Sequence, residues 1–312
     1  MKFILTDTQS INETLKKAAR GDTIYLTAGI YHEKVEILTD GIILTGDGAD
    51  KTIITNHDFY HKIMPDYNEC NTFRTYTCYV GADNVTISGI TVENSSVPSR
   101  KYGQAVALHV DGNHFYCYDS ILKSAQDTLF TGPLPMDLVA RYQGFLPPYQ
   151  LKARPSVQHY KNCTIQGDVD FIFGGATALF EDCEILTIYK EGQKSFEANS
   201  YICAPSHAED TPFGYLFYRC HIAAEPKVSN VYLGRPWRDY GCAAFIDCTM
   251  GNHIHKLGFN KWNHTERDKT ARFYEYGSYE FSEREPWVHR LTAEQARQYV
   301  SDYFNFIEKA RK

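Results

Sequence analysis

The chain is predicted to be all-β: a right-handed parallel β-helix, a single-stranded solenoid, with short N- and C-terminal helices. Three observations predict this. Between residues 22 and 250 the apolar runs are short, bounded by Gly, Asp or Asn, and none extends into a long helical stripe. The slot Phe/Tyr-x-x-Cys-x-Ile occurs in Tyr160-Lys161-Asn162-Cys163-Thr164-Ile165 and returns in Phe217-Tyr218-Arg219-Cys220-His221-Ile222. Residues 120–130 align without a gap with residues 163–173, so that Asp127 falls on Asp170. Tandem self-similarity of this kind is how stacked structural units appear in sequence.

In chain order, Ile11, Leu15 and Ala18 lie at helical spacing before Gly21 and predict an amphipathic helix over 8–19. Asp22-Thr23-Ile24-Tyr25-Leu26 reads as a strand, and Gly29-Ile30-Tyr31-His32-Glu33 as a turn into a strand at Lys34-Val35-Glu36-Ile37. Further strands are expected at 42–45, 52–55, 85–88 and 90–92. Residues 131–157, holding Pro133, Pro135, Pro147, Pro148 and Pro155, form a long loop between the two look-alike stretches. Thr292-Ala293-Glu294-Gln295 is a capping box. It opens a terminal helix whose stripe of Ala296, Tyr299, Val300, Tyr303, Phe304 and Ile307 should pack on the barrel side. The two terminal helices would plug or flank the coil ends, and the whole of 1–312 is expected to be one domain.

Composition narrows the function. The net charge of −6 and the absence of a basic cluster argue against a nucleic-acid partner. No apolar run is long enough to span a membrane. The opening residues hold only Phe3, Ile4 and Leu5 before polar ones, too short a run for a signal peptide. The nine Cys show no Cys-x-x-Cys pair, and four follow one pattern: Asn162-Cys163, Asp182-Cys183, Arg219-Cys220 and Asp247-Cys248. Small buried thiols in an inward slot explain these better than disulfides, so a reduced, cytoplasmic protein is expected.

The chemistry is read by stacking rungs. Gln104-Ala105-Val106-Ala107-Leu108 is expected over Gln126-Asp127-Thr128-Leu129-Phe130, which lies over Val169-Asp170-Phe171-Ile172-Phe173. Equivalent side chains on paired strands sit about 5 Å apart. Two carboxyls so close do not both ionise comfortably, so one should keep its proton near neutral pH. Gln104 and Gln126 add amide donors of the kind that hold an oxyanion in acyl transfer. An inert ladder of aspartates is the alternative, and Phe130 and Phe173 beside the pair weigh against it. In Leu233-Gly234-Arg235-Pro236-Trp237, Arg235 could keep one carboxylate ionised and Trp237 could stack on a sugar.

With these residues assembled, the chain resembles the pectin methylesterases (pectinesterases) of carbohydrate esterase family 8. The matching segments are Gly29-Ile30-Tyr31-His32-Glu33, Thr72-Phe73-Arg74-Thr75, Gln104-Ala105-Val106-Ala107-Leu108, Gln126-Asp127-Thr128-Leu129, Asp170-Phe171-Ile172-Phe173-Gly174 and Leu233-Gly234-Arg235-Pro236-Trp237. The resemblance implies hydrolysis of galacturonate methyl esters with release of methanol. It makes Asp170 the nucleophile and Asp127 the acid and then base. Gln104 and Gln126 would hold the oxyanion and Arg235 would orient Asp170. Trp237, Thr72 and Phe173 would line the sugar groove, with Phe130 and Val169 beside them. It implies no metal and no organic cofactor, and a methylated galacturonan or oligogalacturonide as substrate, with no nucleic-acid or membrane partner. The 131–157 loop looks longer than the family usual, and Arg141, Tyr142, Tyr149, Lys152 and Arg154 could hang from it over the cleft. Short methylated oligogalacturonides in a cytoplasm are the expected substrates.

Two other classes stay open: a glycoside hydrolase or polysaccharide lyase on the same fold, and a non-catalytic carbohydrate-binding β-helix. No Gly-x-Ser-x-Gly elbow points to a serine esterase. His253-Ile254-His255 lacks a third metal ligand in the sequence.

Overall fold

The computed structural model describes residues 1–189, 200–263, 265–278 and 283–310. Strands of two to six residues stack into three sheets, of 11, 7 and 8 strands among the described residues. Every strand-to-strand pairing in them is parallel. From Thr23–Leu26 to Thr249–Met250 successive strands of the chain belong to different sheets, so each circuit of three makes one coil of a right-handed parallel β-helix.

The corner between the first and second sheets explains the cysteine pattern. Asp119, Asn162, Asp182, Arg219 and Asp247 all have φ between 47° and 56°. That left-handed residue turns the chain, and the next side chain points inward. It is Ser120, Cys163, Cys183, Cys220 and Cys248 in turn, all buried. Above this file Tyr160, Phe180, Phe217 and Phe245 stack ring on ring at centroid spacings of 5.0, 4.6 and 4.3 Å. All nine cysteines are buried and free.

The ends and the loop differ in places from expectation. Helix α1 spans Ile11–Leu15 rather than 8–19. Glu33 fixes its start by accepting from the Ile11 and Asn12 amides at 2.7 and 3.1 Å, and Asp22 stops the chain beyond it by accepting from Ala19 at 2.8 Å. Ile11 and Leu15 plug the first coil, and a strand at Lys2–Leu5 pairs with Thr23–Leu26. Gly29–His32, expected as a turn, is a strand paired with Thr52–Asn56. Helix α2 is the single turn Ser99–Tyr102.

Residues 131–157 are not a solvated excursion. They carry helix α3, Met136–Arg141, and a 3-10 turn at Pro148–Leu151. Leu134, Leu138 and Leu146 bury against Phe73, Tyr79, Phe130 and Phe173 on the outer face of the seven-stranded sheet. Helix α4, Ala293–Ala310, begins with the expected box: the Gln295 amide donates to Thr292 Oγ1 at 3.2 Å and the Thr292 amide to Gln295 Oε1 at 2.8 Å. It lies along the barrel side, with Ala296, Tyr303 and Ile307 against Leu179, Leu216 and Ala244. It does not close the end of the coil, where Trp287 and Phe273 pack at 5.5 Å instead.

Candidate active site

The two look-alike stretches are adjacent rungs with the gap-free register intact. Ile121 pairs with Thr164, Leu129 with Ile172 and Phe130 with Phe173, and the Asp127 amide donates to the Val169 carbonyl at 3.1 Å. Asp127 and Asp170 have φ of 65° and 48°. Aspartate is one of the few L-residues to visit this left-handed region at modest cost, and such outliers gather at functional sites. Here the twist carries both carboxyls out of the wall and into a cleft. Gly167 permits the approach of the rungs, since a Cβ there would lie 2.2 Å from Phe171 Cβ and 2.5 Å from the Ala125 carbonyl.

Each carboxyl has its own surroundings. Arg235 grips Asp170 edge-on, Nε to Oδ1 at 2.9 Å and Nη2 to Oδ2 at 2.6 Å. The guanidinium is itself sandwiched, 3.8 Å from the Tyr201 ring and 4.1 Å from that of Trp262. Burial works to lower the Arg235 pKa, but the hydrogen bond and charge of Asp170 outweigh it and raise it. Asp127 has no such clamp. Burial, and then the charge of Asp170 with a smaller push from Asp168, raise its pKa well above the carboxylate range against the pull of Arg235 and Gln126. The result is an ion-paired carboxylate beside a carboxyl whose protonated form is favoured, the unequal pair that acid–base work requires.

Gln104 and Gln126 form a parallel bridge beside the pair. The rows do not stay in the expected register beyond it. Leu108 pairs with Leu129, not Phe130, because residues 105–107 cross one position more than the rung below. Gln104, Gln126, Asp127, Asp170 and Arg235 nevertheless line one cleft of about 460 Å³, together with Thr72, Phe173 and Trp237. Such a site can stabilise negative charge developing on a carbonyl oxygen and deliver a proton to a leaving group.

Two expected groove residues do not line it. Phe130 is fully buried behind the surface, its ring 4.9 Å from Phe173 and 5.2 Å from Phe73. Val169 is buried on its strand opposite Tyr201, and its carbonyl supports Asp127 instead. Of the loop residues, Arg141 and Tyr142 reach the cleft. Tyr149 packs at a tilt against Tyr79, ring centroids 5.4 Å apart, Arg154 pairs with Asp83 at 2.6 Å, and Lys152 is exposed away from it. Sequence reasoning missed Tyr201, Trp262 and Arg238. The signal for Trp262 was an indole in a polar stretch, Asn260-Lys261-Trp262-Asn263. Among the described residues, no three His, Cys, Asp or Glu side chains converge as a metal site, and His255 instead packs at a tilt on Tyr232 at 4.3 Å.

The Pectinesterase family profile matches residues 4–133 and 137–308, breaking off only at the base of the long loop. Probable pectinesterase/pectinesterase inhibitor 36 of Arabidopsis thaliana is 32% identical over 248 residues, covering 77% of this chain and 41% of that protein. Pectinesterase 31 of the same plant is 29% identical over 318 residues, covering 97% and 90%. The solved pectin methylesterase from Yersinia enterocolitica superposes with a TM-score of 0.78 at 25% identity, over 95% of this chain and 98% of the other. The chain therefore spans about two fifths of the first of these relatives and nearly all of the other two.

Proposed function

We propose that this chain, which belongs to the pectinesterase family, hydrolyses galacturonate methyl esters and releases methanol. The observation that carries the reading is the unequal pair: Asp170 held as a carboxylate by the Arg235 fork, beside Asp127, which lacks such a clamp and whose pKa burial and the charge of Asp170 raise. An Asp170 oxygen attacks the ester carbonyl carbon, and the oxyanion that forms is held by the amides of Gln104 and Gln126. Collapse breaks the carbon–methoxy bond, and Asp127 gives its proton to the departing oxygen as methanol leaves. Asp127, now a carboxylate, takes a proton from water as that water attacks the acyl-aspartate. The sugar acid departs, Asp170 is free again, and Asp127 has its proton back. Trp237, Thr72 and Phe173 offer an aromatic and a hydroxyl wall to the sugar.

The substrates proposed are short methylated oligogalacturonides rather than the polymer, with the cytoplasm as the place of action. Nine buried, unpaired thiols support a reducing compartment, and the inserted loop, which bounds one side of the cleft, supports a short substrate. Methanol release from size-sorted methylated oligomers and from high-methoxyl pectin tests the preference, and faster turnover of the polymer would sink it. Asp170→Asn should abolish methanol release while oligosaccharide binding survives. If the variant remains active, the assignment of the nucleophile fails. New reducing ends or unsaturated products without methanol would instead point to a hydrolase or lyase of the glycosidic bond.

A further inference from the structure

The cleft draws its groups from three successive rungs, and they are not equally tied. Asp127 and Asp170 stand on neighbouring rungs joined by the bond from the Asp127 amide to the Val169 carbonyl. Gln104 stands on the third, where residues 105–107 run one position out of step with the rung beside them. Its carbonyl accepts from the Tyr60 amide at 3.0 Å, and the Ala105 amide after it donates to the Gln126 carbonyl at 3.1 Å. The chain reaches Gln104 from the strand Thr91–Asn94 by way of the single turn α2.

A buried polar bond joins the first of these rungs to the last. The hydroxyl of Ser99, the first residue of α2, donates to Asp168 Oδ2. Thr91 pairs with Ile121 and Ile121 with Thr164, so this bond skips the middle rung, that of Ser124-Ala125-Gln126. Ser99 is 5% exposed and Asp168 1%. A carboxylate that accepts a hydroxyl away from water holds it more firmly than an exposed one does. Both ends of the bond lead into the site. The Asp168 amide donates to the Ala125 carbonyl at 2.9 Å, two residues before Asp170. At the other end the Ser99 carbonyl accepts from the Gly103 amide at 2.7 Å, and Gly103, with φ of 72°, turns the chain into Gln104. Glycine takes that conformation freely.

We infer that Ser99 and Asp168 are positioning residues for the oxyanion site: their bond ties α2 to the rung of Asp170 and so fixes Gln104 relative to the nucleophile. Two amides hold one developing oxyanion only while both keep their place against the attacking carboxylate. A small displacement of either is felt more in the transition state than in the bound ester. Gln126 takes its place from the rung next to Asp170, whereas Gln104, on the out-of-step row, takes its place through the cross-tie. Neither Ser99 nor Asp168 lines the cleft, and Asp168 faces a separate cavity of about 390 Å³, so the pair acts through Gln104 and not on substrate. This rests on the ester-hydrolysis reading given above, in which Gln104 holds the oxyanion.

Steady-state methanol release from a methylated oligogalacturonide tests it. Ser99→Ala should lower kcat about fivefold to tenfold with KM changed less than about twofold, and Ser99→Thr, which keeps the hydroxyl, should restore most of the loss. A cycle with Gln104→Ala shows where the loss acts. Once the Gln104 amide is gone, Ser99→Ala should cost little more. Losses that multiply in the double variant mean that the bond merely supports the fold, and they overturn the proposal, as does an unchanged kcat in Ser99→Ala. Hydrogen exchange reads the same tie without turnover. In Ser99→Ala the Ala105 and Val106 amides should exchange about tenfold faster, while that of Asp127 keeps its rate. Asp168→Ala removes the acceptor without stranding a buried charge, and it should show the same exchange where Ser99→Ala does not fold. Faster exchange beside Gln104 in a protein that frees no methanol from any methylated oligomer would keep the tie and remove the proposed esterase. Methanol release with neither change would do the reverse.

Discussion

Arg235 and Arg238 present the same edge to a carboxylate, Nε and Nη2 together, within one short turn after the strand Val231–Gly234: Arg235 to Asp170, and Arg238 to Asp137 of α3 at 3.1 and 2.8 Å. The first fork has side chains 15% and 11% exposed and is roofed and floored by Trp262 and Tyr201. The second has side chains 27% and 53% exposed and rests on one face of Trp237. The distances differ by only about two tenths of an ångström, so geometry does not separate them. Water does. A buried charge pair is costly to break because the survivor is stranded, whereas an exposed pair is exchanged for solvent at little cost. The first fork is therefore a fixture and the second a contact that can be traded.

Breaking each fork measures that contrast. Arg235→Ala leaves Asp170 buried and uncompensated, so chemical denaturation should register a loss of about 3 kcal/mol or more. Methanol release should fall on the order of 100-fold or more as well. Asp127→Asn should remove activity yet stabilise the chain, and the sign follows from its raised pKa. The folded state holds the Asp127 proton after an unfolded aspartate has lost its own, so stability is full below the usual carboxylate range. It is lost as pH climbs toward the raised folded value. The variant has no proton to lose and should melt about 2–4 °C above the parent at a pH of about 7 to 8, an advantage that fades toward a pH of about 4. In the parent, methanol release should decline as pH rises through that same raised value. Trp262→Ala uncovers one face of Arg235 and should lower kcat about fivefold, with Trp262→Phe restoring most of it. Arg238→Ala should change unfolding free energy by less than about 1 kcal/mol. A loss as large as that for Arg235 would erase the distinction between the forks.

Much of this was readable in advance wherever the fold repeats. The match of 120–130 with 163–173 is the actual register of two rungs, because stacked strands cannot slip without turning every inward side chain outward. The cysteine slot was legible for the same reason, and the capping box because it is local. What was not legible comes from outside the repeat. The Gln104 row crosses three alanine and valine positions at a different pace, and nothing in Ala105-Val106-Ala107 marks the slip. Phe130 and Val169 lie three positions and one position from the aspartates, but Phe130, on the same face as Phe173, is covered by Phe73 and the leucines of the loop, and Val169 is buried opposite Tyr201. Tyr201 and Trp262 reach Arg235 from strands and loops far along the chain, and Asp137 reaches Arg238 from the loop. Such meetings are made by stacking coils, which a linear pattern does not display.

The bond from the Asp127 amide to the Val169 carbonyl has one more consequence. The gap between the two carboxyls is one rung of backbone, a length that no side chain sets. Substitution can alter the charge or shelter of either group without moving one relative to the other. Only gain or loss of residues within the coil could do that, and it would turn the wall inside out on the way. Residues 131–157 leave one rung and rejoin at its neighbour, where added length is cheap in entropy. The chain thus has one stretch free to vary in length, wrapped over another whose length is its calibration.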